Sequence, residues 1–319
     1  MFYKTQFSKF GKLPFLIHCY SAIFIKHWQR LFAKLTLLVK FVKLFNLREM
    51  EGKINNGSNS QLIKRIQTGN NHVYLRGNGK NTVFYKDSER IEFLKRCNSA
   101  AKRHNCKILA FVLMDNHLHL QVESKKLVSF VKSILIGYVQ WYNKQNGLSD
   151  KLFKTPFSSA CKYTDESVVE SIMYILCNPV KAGICSHPGE YLWSSYDAYF
   201  NSRSPILKYI DIDTELIRTI FKTKKEFESA VLNYSSDIDR IRKRGKGYWP
   251  RELHNDIINH LSKILKGRNI FQLNRDEISN LILRLRKETG ASFRQIASIT
   301  HESYEEVRRI IVGKKGVGI

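Results

Sequence analysis

The sequence predicts an α+β domain of ferredoxin-like βαββαβ order, followed by an all-α region. Three observations carry this reading. Between residues 66 and 165, apolar side chains recur with period two and then period 3.6, in the order strand, helix, strand, strand, helix, strand. Beyond residue 251 they recur at helical spacing only. The chain, at 319 residues, also exceeds a usual single-core size, so one domain of about 150 residues and a smaller one are expected.

Residues 1–60 form a basic, apolar extension and linker. Their longest uncharged run, LPFLIHCYSAIFI (13–25), falls well short of the roughly 20 residues that span a bilayer. HWQRLFAKLTLLVKFVKLF follows, with lysines on a helix-like pattern. It suits a membrane surface or a core-packing helix equally, so membrane contact of residues 1–50 stays open. Met50 as the true start also stays open, because the polar linker EGKINNGSNSQ begins there and every motif lies beyond it. HVYLRG (72–77) then alternates as a strand and runs into a glycine-bearing loop, GNGKN (77–81). SERIEFLKRCNSAAKRHN (88–105) reads as a helix opened by Ser88. KILAFVLM (107–114) and HLHLQVE (117–123) flank Asp115-Asn116, the turn chemistry of a β-hairpin. A helix fits 126–145, a strand 157–163, and a further helix 165–177 stops at Asn178-Pro179.

With 53 Lys and Arg against 28 Asp and Glu, the formal charge is +25 and the pI near 9.8. A 43% hydrophobic content excludes a disordered polycation. The charge points to a polyanionic partner, nucleic acid first and an anionic membrane surface second, rather than a small-molecule substrate. Six cysteines show no C-x-x-C pair and no zinc-module spacing, which reads as reduced thiols in the cytoplasm.

Side chains alternate across a strand, so His117 and His119 share one face while Leu118 and Leu120 enter the core. Two imidazoles there can grip one divalent metal, but a site needs a further donor. On the helix at 165–177, Ser167, Ser171, Tyr174 and Asn178 fall within an arc of roughly 60°. Val168, Ile172, Ile175 and Leu176 lie opposite. A polar stripe would thus present an accessible phenol, with a carboxamide about 6 Å further along the axis. Pro179 biases Asn178 out of the helix. From this helix alone, a Tyr174 packed at the sheet edge and an Asn178 that merely caps stay open. Tyr138 and Tyr142 in GYVQWYN read as packing, as do Trp193 and Tyr196.

MDNHLHLQVE (114–123), followed by YILCNPVKAGIC (174–185) and YLWSSY (191–196), resembles the single-tyrosine HUH transposases of bacterial insertion sequences. NPVKAG and WSSY point within them to the REP-associated tyrosine transposases. With HVYLRGNGKNTVF (72–84), the resemblance covers residues 66–200 as a catalytic domain. It implies metal-dependent cleavage and rejoining of single-stranded or hairpin DNA. His117, His119 and Asn178 would hold Mg²⁺ or Mn²⁺, and Tyr174 would be the nucleophile, leaving a 5′-phosphotyrosine and a free 3′-hydroxyl. A phenol, with an ordinary pKa of about 10, attacks poorly at neutral pH unless the phosphate is already polarised.

A DNA groove asks for cations and aromatic faces. Arg76, Asn78 and Lys80 on the glycine-bearing loop, with Lys154 and Lys162 near the last strand, are candidates. RIRKRGKGYWPR (240–251), with Arg242, Lys243 and Arg244, adds more cations at the end of a helical, basic linker spanning 201–250. The C-terminal domain, 251–319, places helices near 251–266 and 275–288. SFRQIASITHESYEEVRRIIVG (292–313) then looks like a DNA-binding helix-turn-helix. Ser303 would cap its second helix, and Arg294, Arg308 and Arg309 would meet DNA. His301 stands where the family usually has Gly, in a turn needing a left-handed residue. Glu305 and Glu306 would repel phosphate. A non-catalytic, sequence-specific DNA-binding regulator derived from a transposase is the alternative function. A replication initiator or relaxase fits less well, since no second catalytic tyrosine or helicase region is evident. Monomer and homodimer both stand.

Overall fold

In the computed structural model, residues 65–244 and 254–313 are described, with backbone alone for 237–244. The N-terminal extension, Met50, and residues 245–253 lie outside the described residues.

Strands β1 (Gly69–Arg76), β2 (Lys107–Met114), β3 (His117–Ser124) and β4 (Ser158–Lys162) form one sheet of order β2-β3-β1-β4, with every neighbouring pair antiparallel. This is the ferredoxin-like arrangement. The helices α1 (Asp87–His104) and α2 (Leu127–Asn146) connect the strands and cover one face. Period-two alternation fills that layer: Val73 and Leu75 from β1, and Leu118, Leu120 and Val122 from β3, pack with Phe93, Phe130, Ile134, Tyr138 and Tyr142. β2 is buried on both faces, so Phe111 and Leu113 join this layer while Ala110, Val112 and Met114 face the other. Its outer edge is closed by residues 193–195, through Leu113 N to Trp193 O and Ser195 N to Phe111 O, so no open edge remains there to recruit another strand.

Helix α3 (Asp165–Leu176) lies on the second face, burying Val168, Ile172, Ile175 and Leu176. Thr164 caps it by accepting from Ser167 N at 3.2 Å. The sequence expects the chain to leave the helix at Asn178-Pro179. Instead α3 closes at Leu176, and Asn178 opens a second short helix, α4 (Asn178–Ala182). Pro179 fits in that first turn because its missing N–H has no helical partner to lose. The stripe on α3 is also less open than expected: Ser171 is buried and donates to Gln121 Oε1 at 2.7 Å.

The packed body runs past residue 200. Ile206 and Ile210 enter the first layer. Ile217 of α5 (Glu215–Ile220), and Phe227 and Val231 of α6 (Lys224–Arg244), enter the second. Ile206, Ile210, Ile217, Phe227 and Val231, within the segment expected as a helical linker, thus pack into the two layers.

The C-terminal helices α7 (His254–Leu265), α8 (Arg275–Thr289), α9 (Phe293–Thr300) and α10 (Tyr304–Gly313) enclose a separate core that includes Leu261, Ile282, Leu285, Ile296, Ile299 and Val307. Capping boxes start α8 at Asn274 with Glu277, and α9 at Ser292 with Gln295. α9 ends on His301 at φ 59°, ψ 15°, and Ser303 Oγ accepts from Glu306 N to start α10. These helices seat on the loop after β1: Tyr85 Oη donates to Ile299 O at 2.6 Å, and Tyr85 packs against their core.

Among the described residues no helix is long and apolar enough to cross a membrane. Cys97, Cys106, Cys161, Cys177 and Cys185 are free thiols.

Candidate active site

On the face that α3 partly covers, strand register sets polar residues side by side: Arg76 opposite His117, Tyr74 opposite His119 and His72 opposite Gln121. A cleft of about 420 Å³ opens there, lined by Tyr74, His117, His119, Tyr174, Asn178, Lys181 and Ala182. The two imidazoles, the carboxamide and the phenol named from the sequence therefore meet at one place. Tyr174 stands edge-on to His119 with ring centroids 5.6 Å apart, and 5.8 Å from His72.

At His117 the hydrogen bonds determine which ring nitrogen carries the proton. Asn116 Nδ2 donates to Lys80 O at 3.2 Å, which turns Oδ1 toward His117 Nδ1 at 2.7 Å. An amide oxygen only accepts, so His117 carries its proton on Nδ1 and a lone pair on Nε2. His117 thus turns a lone pair into the cleft and a proton outward to a supporting partner, the arrangement typical of a metal-ligating histidine. The Asn178 carboxamide lies between the two rings, Nδ2 at 3.3 Å from His119 Nε2 and Oδ1 at 3.4 Å from His117 Nε2, and His119 Nδ1 is 2.9 Å from His72 Nε2.

Burial is the main force holding both rings neutral. It pushes the His117 pKa below the usual imidazole value, with Arg76 adding to the effect while the Asn178 contact opposes it. It drives His119 down to about 2, helped by His72, His117 and Lys181. Burial also raises the Tyr74 phenol, against the pull of Arg76.

Among the described residues no cluster of three or more His, Cys, Asp or Glu side chains could hold a metal ion. A metal here would rest on two imidazoles and an amide. Two imidazole nitrogens and an amide oxygen can hold a divalent cation that completes its shell with waters and substrate oxygens.

Sequence reasoning missed four contributors: His72, Tyr74, Asn116 and Lys181. The first two were visible as polar residues on a strand, alternating with the buried Val73 and Leu75. Lys181 lies seven residues after Tyr174, and its Nζ sits 5.1 Å from the centre of the Tyr174 ring.

The candidate DNA contacts divide by location. Arg76 stands beside His117, its Nε buried and without a partner among the described residues. Asn78 and Lys80 are exposed on the following turn, and Lys154 N binds Arg76 O, so these four share the His117 end of the sheet. Lys162 pairs with Asn70 instead, about 20 Å away along β1. Arg308 and Arg309 are exposed on α10 but paired with Glu305 at 3.9 Å and Glu306 at 2.6 Å, and Arg294 is exposed on α9. The side chains of Arg242, Lys243 and Arg244 lie outside the described residues.

Comparison with known proteins adds a family. Residues 66–171 match the family of IS200-like transposases, a span that includes His117 and His119 and ends three residues before Tyr174. No curated protein matches the chain. A solved structure described as a REP-associated tyrosine transposase bound to a REP hairpin aligns with 49% of this chain and 93% of its own, at 16% identity and a TM-score of 0.39. Over residues 66–171, about a third of its length, the chain is therefore similar to IS200-like transposases.

Proposed function

We propose that the chain is a metal-dependent, tyrosine-nucleophile endonuclease and strand transferase acting on single-stranded or hairpin DNA. One observation carries the reading: His117 Nε2 and His119 Nε2 both lie within 3.4 Å of the Asn178 carboxamide, in the cleft that Tyr174 shares. The family of residues 66–171 supports it.

When bound, a divalent ion would polarise the scissile phosphate as a Lewis acid. His117, His119 and Asn178 would hold it. Tyr174 Oη would attack phosphorus, the P–O3′ bond would break, and the phenolic proton would end on the departing 3′ oxygen. The 5′-phosphotyrosine conserves the phosphodiester energy for rejoining. Lys181, exposed beside the Tyr174 ring, would face the phosphate being transferred. Arg76, Asn78, Lys80 and Lys154 would guide the strand past the His117 end. Arg294, Arg308 and Arg309 would contact DNA from the C-terminal helices, acting as a helix-turn-helix.

The test uses 3′-labelled single-stranded DNA carrying the cognate sequence and Mn²⁺. Wild type should retain label through denaturing electrophoresis, and Tyr174→Phe should not. Label on both proteins would remove Tyr174 from the mechanism. Binding without label on either would leave a non-catalytic DNA-binding chain.

A further inference from the structure

Asn116 makes two hydrogen bonds of opposite sense, and they lead to different parts of the molecule. Its Oδ1 accepts from His117 Nδ1, and its Nδ2 donates to Lys80 O. The same carbonyl accepts a second bond, from Ser298 Oγ at 2.9 Å, across 218 residues of sequence. Ser298 belongs to α9. The loop bearing Lys80 is clasped further along as well: Thr82 N donates to Ser298 O, and His301 Nε2 donates to Thr82 O, both at 2.9 Å. Thr82 is fully buried, with His254 Nε2 at 3.1 Å from its hydroxyl. On the other side, Gly77 N bonds Asn116 O, and Val83 N and Phe84 N bond Asp115 O. A Cβ at Gly77 would lie 2.0 Å from Asn81 O, so only glycine allows the loop to double back this tightly.

An amide group is nearly symmetric in shape, and only its partners decide which end carries the donors. Here that decision comes from Lys80 O, which can only accept. With Nδ2 drawn to it, Oδ1 faces the imidazole and the Nδ1–H tautomer follows. The reversed amide would present N–H to His117 Nδ1 and force the proton onto Nε2. That proton would satisfy Asn178 Oδ1 as an ordinary hydrogen bond and remove the lone pair from the cleft.

We propose that Asn116 is the positioning residue that selects the metal-binding tautomer of His117, and that the C-terminal helices hold it there through Ser298 and the Lys80 carbonyl. The C-terminal module is then part of the catalytic unit rather than a tether alone. This rests on the reading of His117 as a metal ligand.

The experiment uses the full chain and two readouts: the His117 tautomer in metal-free protein, from long-range ¹H–¹⁵N correlation assigned with His117→Ala, and Mn²⁺ affinity by calorimetry. Wild type should show the Nδ1–H form. Asn116→Leu should lose it and bind Mn²⁺ about 10–100-fold more weakly. Asn116→Asp, whose carboxylate still accepts from Nδ1, should restore the tautomer. Ser298→Ala, distant from the cleft, should show a mixed tautomer and a weaker Mn²⁺ affinity of about 3–10-fold, within the range for removed supporting bonds. An Nε2–H form in wild type, or an unchanged tautomer in Asn116→Leu, overturns the role of Asn116. An unaltered tautomer in Ser298→Ala overturns the link to the C-terminal helices. A tautomer that responds as expected in a protein that binds no Mn²⁺ overturns the metal reading instead and leaves the positioning role standing.

Discussion

Replacing Asp115 with Ala should cost about 3 kcal/mol, because it strands a buried cation. Arg90 Nη2 lies 2.5 Å from Asp115 Oδ1, and both side chains are about 5% exposed. The guanidinium carbon lies 5.8 Å from the centre of the Phe84 ring and 5.7 Å from that of Trp193. Its other carboxylate, Asp87, is 3.6 Å away and 72% exposed, so that pair is worth no more than about 1 kcal/mol. For a body of this size a loss of about 3 kcal/mol lowers Tm by roughly 6–12 °C. The assay is a set of thermal melts on wild type, Asp115→Ala, Arg90→Met and the double variant. The double variant should be more stable than Asp115→Ala, since it removes the uncompensated charge. A single variant within about 2 °C of wild type, or a double variant as unstable as the two losses added together, would refute the reasoning. The consequence reaches the cleft, because Asp115 and Asn116 form the turn that delivers His117.

Acid should loosen the seam between the C-terminal helices and the β1–α1 loop. Burial holds the pKa of His254 and His301 below the free value of 6.5, so the folded state takes up protons less readily than the unfolded one. Their contribution is complete above pH 6.5 and is lost as pH falls through the folded values, by up to about 1.4 kcal/mol per pH unit for each group. Melts between pH 7.5 and 5.5 should show a falling Tm, with a shallower slope in His301→Gln; equal slopes would contradict this origin. Lys181→Ala should weaken single-stranded DNA binding and reduce the slope of log affinity against log salt by about 1, measured by fluorescence anisotropy. An unchanged slope would remove Lys181 from phosphate contact.

The site's strands were legible because a pleated strand admits one periodicity: with Leu118 and Leu120 in the core, His117 and His119 must share the other face. Helix ends were legible where caps are local, as at Ser303. The break at Cys177 was not, because Pro179 is compatible with ending one helix or starting the next, and packing selects between them.

By itself, then, the sequence determined the order of elements, the faces their apolar residues bury, and the residue types available for chemistry, since all of these depend on near neighbours in the chain. Tertiary structure alone decided who stands beside whom. His72 and Tyr74 become neighbours of His119 only once β1 and β3 pair in a particular register. Asn116 acquires its orientation from a carbonyl that a serine 218 residues away also binds. His301 was readable as a turn residue, yet its ring bond to Thr82 and its packing 5.0 Å from the Phe271 ring depend on the docking of the C-terminal helices. An amphipathic helix specifies that a face will be covered, not by what; that choice is made by shape and hydrogen-bond matching between segments distant in sequence.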